Sequence, residues 1–82
     1  MANPHESLVV VVNGTPVTLD VNPNAVLQSV LAKALHESGN TGQPPDAWEF
    51  RDKDGHLLDP HKKISEYAGV QLFLNLKAGV GG

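Results

Sequence analysis

Leu72-Phe73-Leu74-Asn75-Leu76-Lys77-Ala78-Gly79-Val80-Gly81-Gly82 begins as an alternating strand and closes in very small residues. Leu72, Leu74 and Leu76 repeat with period two, which suits a strand with one buried face. After Leu76 the core signal stops. Gly79, Gly81 and Gly82 hold no regular structure, because glycine loses the most backbone entropy on ordering. A glycine-rich end is also an ordinary frayed terminus. Read as chemistry, Gly81-Gly82 is an end group slim enough to enter a narrow channel, where an enzyme could activate its carboxylate. Everything upstream then serves as a compact handle.

Upstream, Val70 to Leu76 forms the last strand, and Gly69 separates it from a short helical turn at Ile64-Ser65-Glu66-Tyr67. His56-Leu57-Leu58 reads as a short fourth strand between the turns Asp52-Lys53-Asp54-Gly55 and Asp59-Pro60-His61. Ala47 to Arg51 is a third strand, with Trp48 and Phe50 on one face. Asn40 to Pro45 is a loop that Pro44-Pro45 holds extended. Leu27, Val30, Leu31, Ala34 and Leu35 fall at helical spacing, which predicts a helix over Ala25–Ser38. Its expected start is Asn22-Pro23-Asn24, with Asn as cap and Pro in the first turn, and Gly39 follows its end. Val17, Leu19 and Val21 alternate as a second strand with Pro16 at its start. Asn13-Gly14 is a hairpin signal, since both residues tolerate positive φ. Ser7 to Val12 is apolar on both faces and belongs inside the sheet.

The elements divide the chain into a leader, 1–6, a folded domain, 7–76, and a C-terminal tail, 77–82. Segregated strands and one helix imply an α+β domain, with a mixed sheet of four to five strands and the helix across it. The first and last strands both read as two-faced, which places them side by side, parallel, at the centre. The expected core is Val10, Val12, Val17, Leu19, Leu27, Val30, Leu31, Ala34, Phe50, Leu58, Ile64, Leu72 and Leu74. Trp48 lies between core and exposed recognition spot, since tryptophan is often only partly buried.

The chain has 82 residues, enough for one domain with a small core. It has no cysteine, hence no disulfide, thiolate metal site or cysteine nucleophile of its own, which fits a reducing cytosol. The longest apolar run, Leu8 to Val12, is too short to span a bilayer. No signal-peptide pattern opens the chain. A net charge of -3 with six Lys plus Arg gives no basic footprint for nucleic acid. His5, His36, His56 and His61 invite a metal reading, but only His56 and His61 are near in sequence, and they read as surface residues. Asp52-Lys53-Asp54-Gly55 has its glycine too early and no closing glutamate for a calcium loop. No serine, histidine and acid set has the context of a triad. Catalytic and metal-binding residues are therefore expected to be absent.

Thr15-Pro16-Val17-Thr18-Leu19-Asp20-Val21-Asn22-Pro23, Pro44-Pro45-Asp46, Ile64-Ser65-Glu66-Tyr67 and the last strand before Gly-Gly stand in the order found in ubiquitin. The chain resembles the ubiquitin family from Leu8 onward, and most resembles the bacterial ubiquitin-like proteins ending in Gly-Gly. The resemblance implies the β-grasp fold and a protein modifier. It implies that an E1-like enzyme using ATP and Mg²⁺ adenylates the Gly82 carboxylate, with no cofactor bound by this chain. A thioester and an amide to a target amine would follow. Gly82 is then the covalent attachment residue, and Lys77, Ala78, Gly79, Val80, Gly81 and Gly82 form the tail that the activating enzyme recognises. Implied partners are that enzyme, an E2-like enzyme, a JAB-type or other peptidase and a target protein; some such bacterial systems act in antiphage defence. The chain itself would be a cytoplasmic monomer. Lys33, Lys53, Lys62 and Lys63 are possible acceptors of a further tag, and equally ordinary solvated charges. Arg51 and Asn75 stand where ubiquitin offers apolar contacts, so its docking patch is expected to be absent, and Tyr67 to Leu72 is shorter. The similarity leaves two other roles open: a sulfur carrier for thiamin, molybdopterin or cysteine synthesis, ending as a thiocarboxylate, and a ubiquitin-like binding module that is never conjugated.

Overall fold

Residues 5–77 are described by a computed structural model. Strand β1, Glu6–Val12, turns back into β2, Thr15–Val21. The turn residues Asn13 and Gly14 have φ of 49° and 87°, as a type I′ hairpin needs. A 3₁₀ turn, Leu27–Val30, runs directly into helix α1, Leu31–Glu37. Another, Pro45–Ala47, leads into β3, Trp48–Arg51. A third, Ile64–Tyr67, precedes β4, Leu72–Leu76. The sheet order is β2-β1-β4-β3. The central pair β1–β4 is parallel, Val10 to Val12 beside Leu72 to Leu74, and the flanking pairs are antiparallel. The α+β fold, the single helix and the parallel centre agree with the expectation from sequence.

The core lies between the sheet and α1. Val10, Val12, Leu27, Ala34, Leu72 and Leu74 are completely buried, and Leu19, Val30, Leu31, Phe50 and Ile64 nearly so. Val21, Leu35, Ala47 and Trp48 join them. Val17 and Leu58, expected in the core, are only partly buried against it. Val17 sits on the edge strand β2, open on one side. Leu58 belongs to a segment that leaves the sheet.

Several boundaries differ from the sequence reading, the first at β1, which already starts at Glu6, inside the expected leader. The helix does not start at Asn22-Pro23. Instead Asn22 closes a turn, its carbonyl taking the Ala25 N–H at 3.0 Å and its side chain the Asn24 N–H at 2.9 Å. The chain then stays extended at Val26, with φ -74° and ψ 153°, because a remote segment holds it. Leu27 N–H donates to the Lys62 carbonyl and Gln28 N–H to that of Pro60, both at 2.8 Å. Ile64 N–H donates back to the Ala25 carbonyl at 2.8 Å, and Ser65 N–H to Pro23 at 2.9 Å. At the far end α1 stops at Glu37, one residue short of the expected Ser38.

The expected strand at His56–Leu58 reduces to one bridge, Arg51 opposite Leu57. Leu58 N–H reaches the Phe50 carbonyl at 2.9 Å. In that register Pro60 faces Trp48, and proline has no N–H with which to continue the ladder. The last strand starts at Leu72 rather than Val70, because Val70 N–H is taken by the Tyr67 carbonyl at 2.9 Å. The third starts at Trp48, since Ala47 N–H closes a turn on Pro44 at 3.0 Å.

Candidate functional site: the root of the C-terminal segment

Strand β4 delivers the chain to one end of the sheet. Trp48 pairs with Leu76, and Lys77 N–H extends the ladder to the Ala47 carbonyl at 2.9 Å. The backbone is therefore fixed up to Lys77, whose side chain is exposed. Of the residues expected to be recognised, Ala78, Gly79, Val80 and Gly81 lie outside the described residues. So does the expected attachment residue, Gly82.

Trp48 sits at this root with 5% of its surface exposed. On one side a groove of about 270 Å³ runs along β3, lined by Leu31, Trp48, Leu57, Pro60 and Lys77 among others. On the other a crevice of about 220 Å³ lies between Asn13, Gln43, Trp48 and Leu76. The indole N–H of Trp48 is the one buried side-chain polar atom among the described residues without a hydrogen-bond partner. Leu57, on the groove wall, is 62% exposed. Sequence reading missed this groove. The signal available was an apolar pair, Leu57-Leu58, just ahead of Asp59-Pro60: period two buries one member and leaves the other outside.

The helix-free face of the sheet is divided. Alternation along the strands puts Glu49, Arg51 and Asn75 there, together with Val9, Val11 and Phe73. Arg51 is held against its own strand: its Nε donates to Glu49 Oε2 at 2.6 Å and its Nη1 to the Gly55 carbonyl. The third strand thus offers a neutralised ion pair, and the apolar surface of this face moves toward β1, where Val9 is 46% exposed.

Asp52, Asp54 and His56 bring one ligand atom each within 4.8 Å of the others. The cluster is what a closed turn produces. Asp52 Oδ1 accepts the N–H groups of Asp54 and His56, both at 2.9 Å, and Oδ2 lies 3.2 Å from His56 Nδ1. The backbone N–H of His56, above all, holds the Asp52 carboxyl below its ordinary pKa. Gly55, at φ 84°, completes the turn. His56 thus meets Asp52, while the main-chain N–H of His61 caps onto Asp59 Oδ1 at 2.9 Å. Tyr67 locks the same stretch: its hydroxyl accepts the Asp59 N–H at 2.9 Å and donates to the Asp59 carbonyl at 3.1 Å.

A family model described as Protein of Unknown function (DUF2604) matches residues 3–82. The chain belongs to the DUF2604 family. An uncharacterized protein of Sinorhizobium fredii (strain NBRC 101917 / NGR234), y4jI, is 47% identical to this DUF2604 chain over 78 residues, 92% of this chain. The chain spans 60% of that relative's length. Among solved structures, Caldiarchaeum subterraneum ubiquitin is similar over 96% of this chain and 100% of its own, at 26% identity and a TM-score of 0.68. A design based on ubiquitin matches at a TM-score of 0.70 and 23% identity, covering 95% of each chain. The DUF2604 chain is a ubiquitin-like β-grasp protein. Among its described residues no helix is long and apolar enough to cross a membrane.

Proposed function

We propose that the chain is a ubiquitin-like protein modifier attached to targets through Gly82. The observation that carries this reading is its likeness to an archaeal ubiquitin along the whole of that chain, with the last strand pinned to Lys77 and Gly81-Gly82 just beyond. A glycine carboxylate is a poor electrophile. An E1-like enzyme would therefore join it to ATP, releasing pyrophosphate and leaving an acyl adenylate. A cysteine thiolate of the enzyme attacks the acyl carbon and expels AMP. An E2-like enzyme takes over the thioester, and a target amine displaces the thiolate. All catalytic groups in this scheme belong to the partners, so the chain is the substrate of covalent catalysis. A JAB-type peptidase would trim or release it. The setting this reading assigns is the cytoplasm of a bacterium, within an antiphage system.

The experiment is mass spectrometry of target proteins from cells expressing the chain with its genomic neighbours. Trypsin cuts after Lys77, so a conjugated target lysine should carry an Ala-Gly-Val-Gly-Gly remnant. Deleting Gly82 should remove both the remnant and the ladder of high-mass conjugates. A full set of conjugates without Gly82, or a lone species in which sulfur has replaced a terminal oxygen, overturns the proposal.

A further inference from the structure

Asn13-Gly14 joins β1 to β2, and both residues are exposed. Asparagine amides are chemically labile. The lability depends on the next residue, whose main-chain nitrogen is the attacking group and must be free and uncrowded. Among the asparagines of the described residues only Asn13 meets these conditions. Asn22 precedes Pro23, which has no N–H. After Asn24, the Ala25 N–H is held by the Asn22 carbonyl at 3.0 Å. The Asn40 amide donates to Ser38 Oγ at 2.8 Å. Asn75 sits inside β4 opposite Glu49. At the hairpin, by contrast, no hydrogen bond among the described residues engages the Asn13 side chain or the Gly14 N–H. Apart from its chain neighbours, nothing lies within 4 Å of the side-chain position at Gly14. The acidic counterpart, Asp54-Gly55, differs: its Gly55 N–H is taken by the Asp52 carbonyl at 3.0 Å.

We infer that Asn13 is a site of spontaneous deamidation, with a rate set by the opening of the hairpin tip. In the closed turn Asn13 holds φ 49°, and type I′ geometry sets the Gly14 nitrogen anti to the Asn13 Cβ. No ring can close until the tip opens. The Gly14 nitrogen then gives up its proton and attacks Asn13 Cγ. The Cγ–Nδ2 bond breaks, and ammonia leaves with a proton. Water opens the resulting succinimide at either carbonyl, giving aspartate or isoaspartate at position 13. Aspartate keeps the two-residue loop and adds a negative charge to the crevice shared with Trp48 and Leu76. Isoaspartate carries the main chain through its Cβ, so the loop gains an atom and no longer suits the closure of Val12 on Thr15. The Asn13 N–H donates to the Leu74 carbonyl at 2.9 Å, so the change also touches the central strand pair. The inference is independent of the modifier role: aged copies are marked at the end of the sheet where β4 finishes.

The full chain is incubated folded and, in parallel, unfolded in guanidinium chloride at the same pH. Tandem mass spectrometry follows the peptide that holds Asn13 for the mass gain of an amide NH₂ becoming OH. Asn13 should convert in both samples. In the folded one it should do so at about a tenth of the unfolded rate, as a tip closed about nine-tenths of the time gives. Both rates should rise in proportion to hydroxide. Asn13→Gly suits the same turn and should abolish the change, with Asn22, Asn24, Asn40 and Asn75 still intact in the folded chain. An unaltered Asn13 in the folded sample, once the unfolded one has converted fully, overturns the inference. Equal rates in the two samples overturn it as well, since the hairpin then gates nothing.

Discussion

The two ends of the helical segment are closed by opposite means. Its exit is a local device. Ser38 caps it, Gly39 takes φ 77°, and the N–H groups of Gly39 and Asn40 return to the His36 and Leu35 carbonyls at 3.1 and 2.8 Å. That is a Schellman closure written in neighbouring residues. Its entry has no side-chain cap. The first N–H groups, of Leu27 and Gln28, are taken by the carbonyls of Lys62 and Pro60, some thirty-five residues later. A local closure survives damage elsewhere, whereas a remote one is only as firm as the loop that supplies it.

Four changes test that contrast. The largest effect should come from Leu27→Ala, which opens a cavity at a completely buried entry position and should cost about 2–5 kcal/mol in denaturant unfolding. Gly39→Ala forces a side chain into left-handed backbone and should cost about 1–2 kcal/mol. Its loss of amide-exchange protection should be confined to Gly39 and Asn40. Tyr67→Phe frees Asp59 and should cost about 1 kcal/mol, yet it should reduce exchange protection at Leu27 and Gln28, far along the chain. Equal loss of protection at both ends in Tyr67→Phe would show that the entry does not depend on the loop. The smallest effect is one of pH. The folded pKa of Asp52 is depressed, so its contribution is present above the ordinary carboxylate value and is lost as pH falls through the folded one. By carboxyl NMR Asp52 should titrate below the ordinary aspartate value, and Asp52→Asn should abolish the acid-induced opening of the turn without moving the two helix ends.

The same contrast explains what could be read in the sequence. The Asn13-Gly14 hairpin, the Gly39 exit and the Asp52–Gly55 turn are settled within four or five residues, and each stands as expected. Asn22-Pro23 carries the marks of a helix start and of a turn alike. Distant carbonyls decide between them. His56-Leu57-Leu58 has strand character, yet Pro60 meets Trp48 only once both are in register, so the shortening was hidden. For the candidate site, the end of the last strand was legible from the alternation of Leu72, Leu74 and Leu76, and Lys77 stands exposed just beyond it. The groove joins Leu31, Trp48, Leu57 and Lys77 from four separate elements, and no short pattern announces such a meeting.

The parallel union of β1 and β4 has a consequence for biogenesis. A nascent chain makes the first strand early and its central partner more than sixty residues later. The hairpin alone leaves one flank of β1 bare, and a pairing of such long range is slow to close. A chain stalled or cut before Leu72 therefore lacks the strand that joins β1 to β3. Completion of the sheet is in effect tied to the order of synthesis: its two halves, β2-β1 and β4-β3, are joined only once the last strand has been made.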